Sequence, residues 1–283
     1  MVDPPMPRAA AVLAALFASL AAGPALAGEA SCSVDRGAVV VSAAFGDITG
    51  DFILDLSAPR SVLHLDRAQM EGLTTPAVDG TLTLAGERNA AHLTIASIDA
   101  RSLGLPTTLN GVIGADILAA YVVDLRFAPC RLRLWRGRAP PLRGAKPLPV
   151  EMIAGVPTVG ASISDGHTAL AGAFAISTGT PGVRVSQAVA ALSRTPKGID
   201  PTSRYAPPAH LSALGVVDAA ILNASASLQP DAPPGVDGEI GVDVWSRYEL
   251  RLDIGRRRLW LTPARLKRLA PVSGRRSARP AGS

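Results

Sequence analysis

Short runs in which apolar and polar residues alternate recur along the whole chain. Thr81-Leu-Thr-Leu84 and His92-Leu-Thr-Ile95 have the period of two that marks a half-buried strand. Ala38-Val-Val-Val41 is a short β-branched run and also reads as strand. The second half of Tyr121–Phe127 alternates, Ala128-Pro-Cys130 supplies a turn, and Arg131-Leu-Arg-Leu-Trp135 alternates again, so this stretch is a hairpin. Leu250-Arg-Leu-Asp-Ile254, Gly255 and Arg258-Leu-Trp-Leu261 repeat it. Helical signals are few: Asp116 as the cap of a short helix over 117–120, and a short helix over Gln187–Ser193. The pattern predicts an all-β protein, and 27 Gly and 24 Pro fit its many turns.

The chain repeats itself. Gly111-Val-Ile-Gly-Ala-Asp-Ile-Leu-Ala-Ala-Tyr121 and Gly238-Glu-Ile-Gly-Val-Asp-Val-Trp-Ser-Arg-Tyr248 share Gly, Ile, Gly, Asp and Tyr at an offset of 127 residues. The hairpin strands that follow keep the same offset. Upstream, Phe52-Ile-Leu-Asp55-Leu-Ser-Ala-Pro59 lines up with Phe174-Ala-Ile-Ser177-Thr-Gly-Thr-Pro181 at an offset of 122. Two copies of one unit are expected, at 28–140 and 148–266, joined by a linker at 141–147 within the Pro- and Arg-rich stretch that begins at Gly137.

The ends differ from this body. Arg8, the apolar run Ala9–Leu20 and the small-x-small motif Ala25-Leu26-Ala27 predict a signal peptide over 1–27, cleaved before Gly28. Export to the periplasm or outside the cell follows, with no stable membrane span after cleavage. Two cysteines, Cys32 and Cys130, suit one disulfide in an exported protein. The net charge of +5 is concentrated at the C-terminus, where residues 256–283 hold nine Lys or Arg and no acid; without them 19 basic side chains face 23 acidic ones. Residues 267–283 read as a disordered basic tail. No feature points to nucleic acid, and a monomer is expected.

The paired segments resemble those of the aspartic proteases, in the retropepsin-like and pepsin-like group. Each lobe of that family carries a hydrophobic-hydrophobic-Asp-Thr/Ser-Gly signature, followed by a Gly-Ile-Leu-Gly-x-Asp segment and a hairpin. The resemblance covers nearly all of the mature chain and implies two homologous β-barrel lobes with a cleft between them. It also implies that two aspartates, one per lobe, share a proton, because like charges so close cannot both ionise. One then takes a proton from the attacking water while the other donates to the carbonyl oxygen. The Thr or Ser after each aspartate braces the loop against the opposite lobe, and the Gly permits close approach.

The sequence departs from that pattern in both halves. Asp55 stands at the first aspartate position, but Leu56 and Ser57 replace Thr and Gly, so the brace hydroxyl is lost there. Thr178 and Gly179 are in place in the second half, but Ser177 occupies the aspartate position. Ser177 lacks the Gly-x-Ser-x-Gly elbow and a histidine base, so it is not read as a nucleophile. His64, His92, His167 and His210 show no ligand spacing, and no metal or cofactor is expected. Asp116 and Asp243 read as helix caps; Arg60 and Arg184 follow the signature loops and either face the cleft or are simple surface residues. The expected function is that of an exported, catalytically impaired aspartic-protease homologue that binds an extended peptide in the interlobe cleft. The alternatives are an active endopeptidase using Asp55 and a structural envelope protein that kept the fold.

Overall fold

The computed structural model describes residues 25–264 except 103, 107, 193–208, 218 and 230. Most of the expected signal peptide and the tail at 267–283 lie outside the described residues. The chain opens with β1 (Ala25–Asp35), β2 (Ala38–Phe45) and β3 (Ile48–Leu54), all antiparallel neighbours. It continues through β4 (Val62–His64), α1 (Leu65–Met70), β5 (Ala77–Leu84), β6 (Glu87–Ala96), α2 (Asp99–Ser102) and β7 (Leu109–Ile113). The order β2-β3-β7-β4-β6-β5 returns to β2, so six strands close into a barrel and leave no free edge.

After α3 (Ala115–Leu118) come β8 (Val122–Phe127), β9 (Cys130–Arg136) and β10 (Pro147–Pro149). The second half then rebuilds the first from β11 (Glu151–Ile153), β12 (Val156–Ser164), β13 (Ala169–Ile176), β14 (Val183–Ser186), α4 (Gln187–Leu192), β15 (Ala209–Val216), β16 (Ala219–Gln229) and β17 (Gly238–Ile240). Its order β12-β13-β17-β14-β16-β15 closes on β12, strand for strand as in the first barrel. The chain ends with α5 (Val242–Trp245) and the hairpin β18 (Tyr248–Asp253) and β19 (Arg258–Pro263). The protein is all-β and bilobal. None of its described helices is long and apolar enough to cross a membrane.

The two hairpins join the lobes. β18 pairs with β8, extending one sheet in the order β10-β19-β18-β8-β9-β1. In that register Asp124 lies opposite Arg251, its own counterpart in the repeat, so the pseudo-twofold axis passes between them. Arg251, largely buried, grips the Asp124 carboxylate with two nitrogens, and Trp135 donates to it at 2.9 Å. A charge pair thus sits at the centre of the sheet between the lobes. Cys32 and Cys130 are bridged, tying β1 to the end of the β8–β9 hairpin.

The interior explains why strand runs such as Ala38–Val41 do not alternate. Val39, Val41 and Phe45 point into the main core with Phe52, Leu54 and Leu82. Ala38 and Val40 point the other way, into a second cluster with Ile53, Ala58, Ile98, Leu109 and Val112. Strands covered on both faces read as continuous apolar runs. The expected helices need correction. The helix near Asp116 spans Ala115–Leu118 with Gly114 at its N-cap position, so Asp116 lies inside the first turn, where its Oδ1 accepts from the Ile117 N–H at 2.9 Å. It also accepts from the Ser61 amide at 2.9 Å and hydroxyl at 2.7 Å, binding α3 to the loop that follows Asp55. Asp243 likewise lies inside α5 behind Gly241. The expected helix from Gln187 is present over Gln187–Leu192, and Ser193 is outside the described residues.

Candidate functional site

The repeated glycines exist because two loops cross in each lobe. Asp55 N donates to Ile113 O at 2.9 Å, and Ser177 N donates to Ile240 O at 2.9 Å. A Cβ on Gly111 would lie 2.1 Å from Val62 O, and one on Gly238 would lie 2.2 Å from Arg184 O. Cβ atoms on Gly114 and Gly241 would strike Ala58 O and Pro181 O. No side chain fits at these four positions, so the motif recurs with them. The crossing places Asp55 at the end of β3 and Ser177 at the end of β13, facing each other where the lobes meet.

Asp55 is fully buried and heavily bonded. Its Oδ1 accepts from Ser57 N at 3.0 Å, Ser57 Oγ at 2.8 Å, and Ser177 Oγ, Thr178 N and Gly179 N at 3.2 Å each. Its Oδ2 is ion-paired with the guanidinium of Arg101, carried by α2. Ser177 Oγ in turn accepts from Thr180 Oγ1 at 2.9 Å. Thr178 reaches across the interface, its Oγ1 accepting from Leu56 N at 3.1 Å and donating to Leu54 O at 2.7 Å. The reciprocal hydroxyl is absent because Leu56 sits in the core. Ser57, where the pattern has Gly, spends its hydroxyl on Asp55. Gly179 is needed here too: a Cβ would come within 2.6 Å of both Arg101 Nη2 and Asp55 Oδ2.

Burial by itself pushes the Asp55 carboxyl up, but the Arg101 charge and the Ser57 hydrogen bonds outweigh it and hold the pKa below the usual value. Arg101 is also desolvated, yet the Asp55 charge keeps its pKa raised. Arg101 feels two further acids from the second lobe, Glu239 and Asp231. Glu239 is buried on β17, accepts from Gln229 Nε2 at 2.6 Å, and lies 3.4 Å from Arg184 Nη1. Burial, aided by the Asp55 charge, pushes its pKa up against the pull of Arg184 and Arg101.

The sequence reading missed this charged group, although it left a signal. In the first lobe β4 and β7 pair Val62 with Val112. In the second lobe the same cross-strand pair is Arg184 with Glu239. A complementary charge pair at positions that are apolar in the sister copy marks a functional or structural network; of the two readings of Arg184, simple surface exposure does not hold, since its side chain is 19% exposed. Arg60 is exposed. Arg101 carried no signal, since nothing in Ser97-Ile-Asp-Ala-Arg-Ser102 shows that it reaches Asp55.

No protein-family model and no curated protein matches the chain. Among solved structures it is similar to the aspartic proteinase from Irpex lacteus, with a TM-score of 0.50 and 13% identity over 86% of this chain and 98% of that one. At that identity the likeness concerns architecture alone, and the architecture of this chain is the pepsin-like bilobal β fold.

Proposed function

We propose that this is an exported, catalytically impaired relative of the pepsin-like proteinases that holds an extended peptide between its lobes. The observation that supports the reading is the state of Asp55. The hydrolytic mechanism needs one carboxylate free to take a proton from water and one carboxylic acid able to donate. Here Oδ2 is covered by Arg101, Oδ1 receives five donors, and the group opposite is the Ser177 hydroxyl. An alcohol is far too weak an acid to replace the missing carboxyl. The depressed pKa also makes Asp55 a poorer base than a general base near its operating pH would be.

The Thr178 brace and the crossing glycines keep the two loops in register without serving catalysis in this reading. A preserved interlobe site without its chemistry is suited to binding. Extended peptides are held in such folds by main-chain hydrogen bonds, as an added strand. Export rests on Ala25-Leu26-Ala27 and agrees with the Cys32–Cys130 bridge.

The test is a library of unstructured octapeptides, probed for binding to the mature protein by fluorescence anisotropy. Binders should lose at least tenfold in affinity when alternate backbone amides are N-methylated, because strand addition needs those donors. Binding indifferent to N-methylation, or none at all across the library, rules out this mode.

A further inference from the structure

We propose that His64, Asp66 and Asp99 form a binding site for a divalent transition metal, of which Zn²⁺ is the representative. The fold brings the three together from two segments. β4 pairs in parallel with β6, setting His64 beside Ala96, three residues before Asp99. His64 ends β4, and Asp66 follows in the first turn of α1. One ligand atom from each residue lies within 4.8 Å of the other two. His64 Nε2 and Asp99 Oδ1 are 3.2 Å apart. Tetrahedral Zn²⁺ with bonds of ~2.0–2.1 Å spaces its ligands by about 3.3 Å, so this pair already has the required separation.

The burial pattern is that of a site with one rigid and two adaptable ligands. The His64 side chain is nine-tenths buried, and its Nδ1 has no hydrogen-bond partner among the described residues. Its Nε2 faces the Asp99 carboxylate, with an Asp66 oxygen within 4.8 Å. Two carboxylates converging on one imidazole repel each other, and a cation between the three removes that cost. Asp99 Oδ2 accepts from Ser97 Oγ at 2.6 Å while its Oδ1 faces His64, and the exposed Asp66 can close the remaining distance by rotation. Three protein ligands leave a fourth position for water. One imidazole with two carboxylates favours Zn²⁺, Mn²⁺ or Co²⁺ over Mg²⁺, which prefers an all-oxygen shell.

A bound cation would fasten the 97–102 segment to the β4–α1 corner, and that segment carries Arg101. The metal site stands apart from the proposed function; its effect on the Arg101–Asp55 pair rests on that reading. The experiment is isothermal titration of ZnCl₂ into tag-free, chelator-treated mature protein, with MgCl₂ as the control. The expected result is saturable binding of one Zn²⁺, weakened at least tenfold by Asp66→Asn and by Asp99→Asn and lost in His64→Ala, with no Mg²⁺ binding. Both Asp variants alter exposed side chains and leave the fold intact if His64→Ala does not. His92→Ala, which removes an exposed imidazole with a single carboxylate neighbour, should bind as wild type does. Absence of saturable binding, or wild-type affinity in both Asp variants, overturns the site and leaves a histidine–carboxylate contact without a metal. Hydrogen exchange of residues 97–102 should slow with Zn²⁺ in wild type; binding without that change removes only the link to Arg101.

Discussion

Arg101→Ala should be the most informative single substitution in this protein. It leaves the Asp55 carboxylate, 1% exposed, without a partner on Oδ2. Deleting one member of a buried ion pair typically costs about 3–5 kcal/mol, because a buried charge is left uncompensated. Two features lower that figure here. Five donors remain on Oδ1, and the Arg101 side chain is about one-third exposed, so its removal admits water to Oδ2. About 2–3 kcal/mol is therefore expected at neutral pH. The pH dependence identifies the cause. A carboxyl held below its usual pKa contributes stability above the unfolded pKa, and that contribution is lost as pH falls through the folded value. Without Arg101, burial acts unopposed and the folded pKa rises. The gap between wild type and Arg101→Ala should thus be full near pH 7 and close in acid, where both forms are protonated. Urea melts at several pH values measure it, and Asp55→Asn closes a double-mutant cycle with a coupling of about 2 kcal/mol. A loss under about 0.5 kcal/mol at pH 7, or a gap that does not change with pH, would refute the assignment of Arg101 as the counter-ion.

Other expected outcomes follow from single contacts. Thr178→Ala should cost about 2–4 kcal/mol, since it orphans the buried Leu56 N–H and Leu54 C=O together, whereas Thr178→Ser should retain most of the stability; urea melts decide. Protein purified without reductant should show no titratable thiol after denaturation, and reduction should destabilise it by about 4–5 kcal/mol, the chain-entropy value for a 98-residue separation. Glu239 is the reverse of Asp55: its raised folded pKa adds stability present below the unfolded pKa and lost as pH rises through the folded one. Thermal melts of Glu239→Gln should therefore lack a decline that wild type shows as pH rises through that window.

Much of this architecture was legible because it is stated twice. The glycines of Gly-x-Ile-Gly recur since four carbonyl oxygens approach too closely for any Cβ. The paired hairpins recur since they build one sheet across the pseudo-twofold axis. Asp55 and Ser177 could be placed opposite each other for the same reason. Features confined to one copy were harder to read. Arg101 comes from a four-residue helix whose position depends on loop packing, and no local pattern specifies its reach. The role of Asp116 also depends on a tertiary contact, with Ser61, that a local capping rule cannot anticipate. His64 looked isolated because Asp99 joins it only through the β4–β6 register. Arg184 and Glu239 lay between these cases: each departs from an apolar residue in the sister copy, and comparing the copies position by position exposes the pair.

The central claim is that the interlobe site has lost its hydrolytic chemistry. The most direct measurement compares peptide cleavage by wild type and Asp55→Ala on a mixed peptide library between acid and neutral pH, with and without a pepstatin-like inhibitor. Loss of a general acid or base typically costs ~10²–10⁴ in rate, and a coupled pair can lose more. Wild type and Asp55→Ala should both remain at background. Ser177→Asp alone should recover little while Arg101 still covers Asp55 Oδ2. Cleavage by wild type that Asp55→Ala abolishes would contradict the account and make this protein a working peptidase.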